Sequence, residues 1–297
     1  MMGFDVNQDG ERQQYYVQLL QWLQYNVTQS WISSKVKISP SKISGSSFMS
    51  GYGVFSTGAI SEGELLFVIP SDGCISFSSS IMNDDFGERL RLRLKGAGPG
   101  GSTVGLAGWL AKERLKLILD HQTHVSFQPY LSILPWYKEE QDHVLFYSDQ
   151  QIQSLSQLYP QAAEDAKGLR LEVEIAKKLL CPIILDFLIG CKDTSLSHYK
   201  HCKELCHEAI TAAFVIVLTR SFYSNDIQEE RLVPLLDMLQ HNDTPTIRHE
   251  SDVKGNVYVY ARYNIDEGQE IYNQYAAKDS MESYQWLTRF GFLPDGE

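Results

Sequence analysis

Side chains that can bind a polar ligand or orient a proton are concentrated near the C-terminal end of the sequence. Asp237, Gln240 and His241 follow an apolar run, and Tyr275 ends a later one. A carboxylate accepts hydrogen bonds, and an amide, an imidazole or a phenol can both donate and accept them. Taken singly, each has a structural explanation, because a lone histidine is often a core residue and aromatic rings dominate cores.

A pair of glycines upstream of these residues indicates a second ligand-binding segment. The pair lies in the sequence Gly51-Tyr-Gly-Val-Phe. Glycine has no Cβ, so a backbone that carries two of them can pass close to a ligand. The pair is not a dinucleotide fingerprint, because the third glycine is absent and no helix follows. Alone, it equally predicts a tight turn at the start of a strand.

The elements that must position these residues begin with a helix and two strands. Apolar spacing predicts an amphipathic helix over Tyr15–Tyr25. A strand follows at Gly51–Phe55, and a second begins at Leu65 and is ended by Pro70. The turn between these strands is predicted at Glu62-Gly63.

Helical periodicity dominates the middle of the chain, from Val104 to Asn225. The last predicted helix has Asp193 or Thr194 as its N-cap, and Pro182 marks the end of the helix before it. The predicted helices lie around Leu106–Ile118, Asp149–Gln157, Ala162–Leu180 and Thr194–Tyr223.

Short strands return after Arg231. They are predicted at Leu232–Leu236, Asn256–Ala261 and Glu270–Tyr275, with a turn at Asp266-Glu-Gly. The sequence therefore predicts an α+β fold, in which a large helical insertion interrupts a β-rich core. Its segments are an N-terminal flanking helix (1–35), the first part of the core (36–103), the insertion (104–230) and the second part of the core (231–297).

Composition limits the partners and the compartment. The 297 residues carry a net charge of -11, which disfavours direct binding to nucleic acid and suits a basic protein partner. Five cysteines are too few, and odd in number, for a disulfide framework, so we expect a cytoplasmic or nuclear protein. The polar N-terminus predicts no signal peptide. The longest apolar run, Ala209–Leu218, is too short to span a membrane.

One cluster offers a competing chemistry. His198, Cys202 and Cys206 share a face of the last predicted helix and could bind zinc there. The alternative is an ordinary helix with its thiols directed inward. Because the spacing differs from the usual Cys-x-x-Cys pairs, we predict no metal site.

The motifs occur in a fixed order along the chain. Together they resemble SET-domain protein methyltransferases, and most of all the subgroup that includes the Rubisco large-subunit lysine methyltransferase and the actin histidine methyltransferase. The resemblance extends from about Leu19 to Phe292. The segments that carry it are Gly51-Tyr-Gly-Val-Phe, Gln128-Pro-Tyr-Leu-Ser-Ile-Leu-Pro, Thr219-Arg-Ser-Phe, Leu232-Val-Pro-Leu-Leu-Asp-Met-Leu-Gln-His-Asn, Gly268-Gln-Glu-Ile-Tyr-Asn-Gln-Tyr and Phe290-Gly-Phe.

This resemblance implies a pseudoknot-like C-terminal segment, S-adenosyl-L-methionine as cofactor and a protein lysine of a non-histone substrate as acceptor. Tyr275 is the implied catalytic residue. The implied substrate channel contains Phe222, Asn273 and Phe292. The implied cofactor-binding residues are Gly51, Tyr52, Gly53, Phe55, Arg220, Asp237, Gln240, His241, Tyr275 and Phe290.

Three positions depart from the family pattern. Gln240 replaces an asparagine, Ala276 a glycine and Phe290 a tyrosine. They leave open a SET-like binding module with little or no activity. A histidine acceptor is a further alternative, although the aromatic Phe222 favours lysine. The sequence does not fix the oligomeric state.

Overall fold

The fold combines helices with short strands, which confirms the predicted α+β class with a helical insertion. The four predicted segment boundaries stay a prediction. The computed structural model describes residues 7–41, 51–79, 83–98, 100–119, 127–189, 196–224, 228–277 and 280–293.

The chain divides into two compact units, each built from segments that are distant in sequence. The strand-rich unit comprises Met1–Cys74, Ser126–Leu134 and Val233–Lys278. The helical unit comprises Ile75–Val125, Pro135–Leu232 and Asp279–Glu297.

A helix opens the strand-rich unit. Helix α1 spans Asn7–Asn26, and its Leu19 and Leu23 are fully buried. The ring of Trp22 on this helix lies 5.2 Å from that of Phe127 in an edge-on arrangement. The N-terminal helix predicted from the sequence is therefore confirmed, and apolar contacts hold it in place.

Two four-stranded sheets form most of the strand-rich unit. One has the order β1 (Trp31–Ile32), β4 (Leu65–Ile69), β10 (Val257–Ala261) and β9 (Ile247–Ser251). The other has the order β2 (Val36–Pro40), β3 (Tyr52–Ser56), β11 (Glu270–Asn273) and β8 (Gln240–His241). Strand β11 runs parallel to β8 with the β9–β10 hairpin between them in sequence. This return beside β8 is the segment predicted to be pseudoknot-like. The short helix α4 (Gln128–Leu131) completes the unit.

Glycines make the two predicted turns of this unit. Gly63 has a φ of +76° and Gly268 a φ of +78°, a backbone conformation that glycine adopts without a steric cost. Strand β4 ends at Ile69, directly before Pro70, as predicted. Strands β3 and β4 pair with other strands and not with each other, since they belong to different sheets.

Long helices dominate the other unit. No described helix is long and apolar enough to cross a membrane. The candidate N-caps Asp193 and Thr194 lie outside the described residues. The helices of this unit are α2 (Asp85–Leu94), α3 (Gly100–Leu119), α5 (Asp149–Leu158), α6 (Pro160–Ile189), α7 (Leu196–Arg220) and α8 (Ser283–Phe290). Its strands β5 (Ile75–Ser76), β7 (Glu229–Leu232) and β6 (Phe222–Ser224) form one antiparallel sheet.

Pro182 does not end a helix, so that prediction was wrong. It lies inside α6, which continues to Ile189. An interior proline removes one helical hydrogen bond. Leu180, Ile184 and Leu185 around it are almost fully buried. Tertiary packing of these side chains therefore outweighs the local preference of proline.

The predicted strand over Leu232–Leu236 was also wrong beyond its first residue. Strand β7 ends at Leu232. Pro234 has no N–H to donate to a sheet, so the chain turns there. Leu235 adopts a φ of +74°, and a 3₁₀ turn follows over Leu236–Met238.

A buried ion pair lies in the core of the helical unit. Lys112 on α3 is 1% exposed, and its Nζ lies 2.7 Å from Glu113 Oε1 and 3.2 Å from Asp84 Oδ2. The same Nζ lies 4.7 Å from the centre of the Phe86 ring, which adds a cation–π contact. Burial would raise the pKa of Asp84, but the Gly87 N–H and the Lys112 charge lower it below its ordinary value.

A second buried titratable group, His143, is fully enclosed in this unit. Its Nδ1 accepts a hydrogen bond from the Leu145 N–H at 3.2 Å. Burial lowers the pKa of His143 to about 4, and the backbone of Arg289 and Thr288 opposes that shift only in part. The imidazole is therefore neutral in the folded protein at neutral pH.

We expect this histidine to make the protein less stable in acid. Its pKa is 6.5 in the unfolded chain and about 4 in the folded protein. Between these two pH values the unfolded chain therefore binds a proton that the folded protein does not bind. The free energy of unfolding then decreases as the pH falls from 6.5 to 4, by up to about 3 kcal/mol. Urea unfolding at pH 7 and pH 4.5 measures the loss.

The replacement His143→Gln should remove most of this pH dependence, and the exposed His249→Gln should leave it intact. A wild-type protein whose unfolding free energy differs between pH 7 and 4.5 no more than that of His143→Gln would contradict the assignment.

Candidate functional site

The second glycine of the predicted ligand segment packs against a buried acid. Gly53 lies in β3, and a Cβ there would clash with Oε1 of Glu270. Glu270 is 4% exposed and accepts hydrogen bonds from the Ser41 hydroxyl (2.6 Å) and the Tyr272 hydroxyl (3.3 Å). A side chain at this position would force the carboxylate to move away from its hydrogen-bond partners.

Glu270 also affects the pKa of the neighbouring Tyr272 phenol. Burial, and next the negative charge of Glu270, raise the pKa of Tyr272 above its ordinary value. Tyr272 therefore stays protonated at neutral pH and donates to the carboxylate. Phe55, also predicted to meet the cofactor, is 4% exposed and lies opposite Glu270 in the β3–β11 pair.

Gln240 connects β8 to the glycine segment. Its Nε2 donates a hydrogen bond to the Tyr52 carbonyl at 3.0 Å. A Cβ at Gly51 would lie 3.4 Å from the same nitrogen. The Tyr52 ring in turn stacks on Tyr16 of α1, with centroids 4.1 Å apart. The glutamine that replaces asparagine thus has a defined structural role, since it ties the glycine segment to β8.

His241 and Tyr275 are in direct contact. His241 Nδ1 accepts a hydrogen bond from the Tyr275 N–H at 3.2 Å, and the two rings lie 5.4 Å apart. His241 Nε2 lies 3.3 Å from Asp243 Oδ1. The Tyr275 hydroxyl donates to the Leu239 carbonyl at 3.0 Å. Because its proton points to Leu239, the phenol oxygen can offer a ligand only its lone pairs.

Asp237 is held by a phenol from another part of the chain. It is 5% exposed, and its Oδ2 accepts a hydrogen bond from the fully buried Tyr130 hydroxyl at 2.7 Å. The turn that brings Asp237 there contains Leu235, and a non-glycine residue at positive φ costs about 1–3 kcal/mol. The strained residue lies directly before the segment that carries the candidate site residues Asp237, Gln240 and His241.

Sequence reasoning missed two residues of this arrangement. Tyr130 belongs to the quoted Gln128-Pro-Tyr segment, but its bond to Asp237 could not be seen in sequence. Glu270 is an acid at the start of an apolar strand, which is a signal for a buried and partnered carboxylate.

Ala276 is not strained. The described non-glycine residues with positive φ are Gln29, Gln228 and Leu235, and Ala276 is not among them. The backbone at this position therefore does not require the glycine of the family pattern. This departure gives no structural reason for a loss of activity.

Four predicted residues belong to the helical unit. Arg220 is the last residue of α7, and Phe222 begins β6 two residues later. Both are half-buried. Ser221 between them donates a hydrogen bond to Glu230 Oε2 at 2.5 Å, which fixes the junction of helix and strand. Arg289 Nη2 also lies 3.6 Å from Glu230, at Oε1.

The other two residues form an aromatic cluster with Trp286. The Phe290 ring lies 5.2 Å from Trp286 and the Phe292 ring 5.7 Å from it, and Trp286 is 1% exposed. Gly291 ends α8 with a φ of +83°, which turns the chain so that both rings meet the same indole. The roles of these residues toward a ligand stay predictions.

The alternative zinc site receives no support. Cys202 and Cys206 are fully buried, and a hydrogen bond with the Cys181 thiol, together with burial, raises the pKa of the Cys206 thiol. The side chain of His198 lies outside the described residues. Among the described side chains, no group of three or more His, Cys, Asp or Glu residues could hold a metal ion.

Comparison with known proteins identifies the architecture. The profile of the SET domain matches residues 51–276. Among solved structures, the SET domain of LSMT bound to lysine and AdoHcy is 17% identical with a TM-score of 0.66, and it covers 95% of this chain. Rubisco LSMT bound to sinefungin and monomethyllysine is 18% identical with a TM-score of 0.67, and it covers 96%. Rubisco LSMT bound to AdoMet is 18% identical with a TM-score of 0.66, and it covers 95%.

The chain spans 57% of the length of each of these structures. A search among curated proteins finds no match. At these identities the likeness shows a shared fold. The chemistry that Tyr275 can perform is inferred from the contacts that it makes in this protein.

Proposed function

The chain belongs to the SET domain family, and from that premise we propose that it is an S-adenosylmethionine-dependent methyltransferase of protein lysine. The acceptor we propose is a lysine of a non-histone protein. The observation that carries this proposal is the Tyr275 phenol, whose proton is directed to Leu239 and whose oxygen can accept from a ligand. The likeness to Rubisco LSMT structures bound to AdoMet or to methyllysine gives independent support.

The cofactor fits the residues present. Gly51 is exposed, and a Cβ there would be in ordinary van der Waals contact with Gln240 Nε2 at 3.4 Å. The strand-rich unit also supplies the buried carboxylates of Asp237 and Glu270, which suit the cationic groups of this cofactor. We expect Gly51, Tyr52, Asp237, Gln240 and His241 to hold it, together with Gly53, Phe55, Arg220 and Phe290. When bound, the cofactor supplies a methyl group on a positively charged sulfur.

The residues of this chain would align the acceptor. A lysine amine attacks only when neutral, and burial among aromatic rings such as Phe222 and Phe292 disfavours its charged form. The Tyr275 oxygen accepts an N–H of that amine, which turns the nitrogen lone pair toward the methyl carbon. The nitrogen would take the methyl group from the cofactor, and the electron pair of the broken C–S bond would remain on its sulfur. The methylated ammonium then loses a proton to water.

A non-catalytic binding module receives no specific support. Gln240 makes a hydrogen bond that organises the glycine segment, and Ala276 has an ordinary backbone conformation. These two departures are therefore accommodated by the fold. Both observations support retained activity.

The test is methyl transfer in two stages. Calorimetric titration with S-adenosylmethionine should show binding to one site. Radiolabelled cofactor and a lysate should then yield a labelled protein, whose acid hydrolysate should contain methylated lysine. Labelled methylhistidine would overturn lysine as acceptor. Binding without any labelled protein would favour the binding module.

A further inference from the structure

An open cleft with a basic rim lies in the helical unit, away from every residue that the proposed methyl transfer uses. It is lined by one face of α6, by Thr211 of α7 and by Leu145, which belongs to the 3₁₀ turn Val144–Phe146. Its volume is about 370 Å³, which is within the range of cavities that hold small ligands. The cleft is therefore a candidate for a second binding site.

The charge of this cleft is opposite to that of the whole chain, whose net charge is -11. Lys167, Arg170 and Lys177 of α6 line it. Glu174 is the one acid among the described residues of the lining. The lining therefore carries an excess of about two positive charges, which favours an anionic ligand.

A neighbouring histidine is affected by the same positive charge. His207 lies one helical turn before Thr211, whose hydroxyl donates to the His207 carbonyl at 3.0 Å. Burial, and next the charges of Lys177 and Lys203, lower the pKa of His207, and the charge of Glu174 opposes this shift. The lysine charges thus outweigh the carboxylate at this end of the cleft.

Arg170 is held in a defined orientation at the rim. Its Nη2 donates to the Tyr147 carbonyl and its Nη1 to Asp149 Oδ1, each at 3.0 Å. Among the described residues these bonds use two of the five N–H donors of a guanidinium, so donors remain for a ligand. The Asp149 side chain is 98% exposed, and an ion pair with so well solvated a carboxylate is weak. An anion in the cleft can therefore compete with it.

The two lysines of the rim are held by ion pairs along the helix. Lys167 Nζ lies 2.5 Å from Glu164 Oε1, and Lys177 Nζ lies 2.7 Å from Glu174 Oε1. Both pairs join residues three positions apart on α6, and such pairs contribute little to stability. Either ammonium can therefore turn toward an anion in the cleft at a small cost in free energy.

The buried part of the lining is apolar. Leu145 and Val173 are almost fully buried, and the exposed Leu171 extends the apolar surface outward. Free phosphate would leave this surface in water, whereas a ligand with an apolar group would cover it. The lining therefore suits a ligand that joins a doubly charged anion to an apolar group.

We propose that this cleft binds a phosphate monoester, with its phosphoryl group at Arg170 and the two lysines and its apolar group against Leu145 and Val173. Such a phosphoryl group carries about two negative charges at pH 7, which matches the excess charge of the lining. The planar guanidinium binds two phosphoryl oxygens at once, and the lysines add point charges. A phosphotyrosine side chain and a small aryl phosphate present the same chemistry.

The test is calorimetric titration of the full chain with phenyl phosphate, inorganic phosphate and phenol. Phenyl phosphate should bind to one site, and about tenfold more tightly than inorganic phosphate, because its ring is removed from water. Phenol, which has the ring without the charge, should show no binding. A phosphotyrosine peptide with uncharged flanking residues separates the two sources of ligand. Binding of the peptide would support a phosphorylated protein, and binding of phenyl phosphate alone would support a small molecule.

Variants of the rim test the role of charge. Arg170→Gln should bind phenyl phosphate about tenfold more weakly than wild type, because a charge-assisted contact is lost. The matched control is Arg89→Gln, which breaks an exposed ion pair with Asp186 elsewhere in the same unit and should bind like wild type. Lys177→Gln should also weaken binding, and it tests the proposal independently if Arg170→Gln does not fold.

Variants of the exposed apolar wall test the fit of the ring. Leu171→Ser should reduce the preference for phenyl phosphate over inorganic phosphate. Ile175→Ser is its control, because Ile175 lies one turn further along α6, outside the lining, and is 58% exposed against 63% for Leu171. This control should keep the wild-type preference.

Three results would overturn the proposal. The first is a wild-type protein that does not bind phenyl phosphate at millimolar concentration. The second is binding of inorganic phosphate as tight as that of phenyl phosphate, which would leave the apolar lining without a role. The third is an equal loss of affinity in Arg170→Gln and Arg89→Gln, which would show a general effect of net charge. None of these results bears on methyl transfer.

Discussion

The variant Tyr275→Phe should transfer methyl groups about 10²–10³-fold more slowly than wild type, with its affinity for S-adenosylmethionine nearly unchanged. The phenol oxygen is the acceptor that we expect to orient the amine, and phenylalanine cannot provide it. The ring itself stays, so its contact with the His241 imidazole is retained. Single-turnover transfer, with radiolabelled cofactor and the identified substrate, measures the rate.

The lost bond to the Leu239 carbonyl should cost only about 1 kcal/mol of unfolding free energy. The matched control is Tyr258→Phe, which removes a phenol bound to Asp252 at 3.2 Å in the same unit. Its transfer rate should equal that of wild type. Equal rates for Tyr275→Phe and Tyr258→Phe would exclude Tyr275 from the chemistry.

The second large effect concerns stability. Gly291→Ala should reduce the free energy of unfolding by more than about 4 kcal/mol, or prevent folding of the helical unit. Alanine is destabilised in the left-handed backbone conformation that Gly291 adopts, with a φ of +83°. Its Cβ would also clash with the Asp142 carbonyl oxygen, a backbone atom that cannot rotate away. Chemical denaturation followed by far-UV circular dichroism measures the change.

A control in the same unit separates these two terms. Gly96 has a φ of +87°, and nothing lies within 4 Å of the place of its Cβ. Gly96→Ala should therefore lose only the conformational contribution to the free energy of unfolding, about 1 kcal/mol. Similar losses for the two variants would show that the Asp142 clash is relieved by movement of the backbone.

Local patterns in the sequence were sufficient to predict the strands and turns of the core. Alternating or continuous apolar residues with glycine turns predicted β4 and β10, and Gly63 and Gly268 have the expected positive φ. These features depend on residues that are neighbours in sequence. The order of the motifs was sufficient to predict the family, and the SET domain match confirms that prediction.

Features that depend on distant residues could not be predicted. The propensity of proline argued for a helix end at Pro182, but buried neighbours on α6 decide otherwise. The Tyr130–Asp237 bond joins residues from separate segments, and so does the contact of Gln240 with Tyr52. Each needs the folded chain to bring its partners together. The sequence could therefore name candidate residues, but their hydrogen-bond partners came from the structure.

The carboxylate that fills the space beside Gly53 couples positions 53 and 270, because a side chain at 53 would meet Glu270 Oε1. An alanine at 53 would push the Glu270 carboxylate away from its present place, where the hydroxyls of Ser41 and Tyr272 donate to it. We therefore expect a side chain at position 53 to cost less stability when Glu270 is replaced by a smaller residue at the same time. The buried carboxylate is thus a reason for glycine at position 53 that does not depend on any ligand.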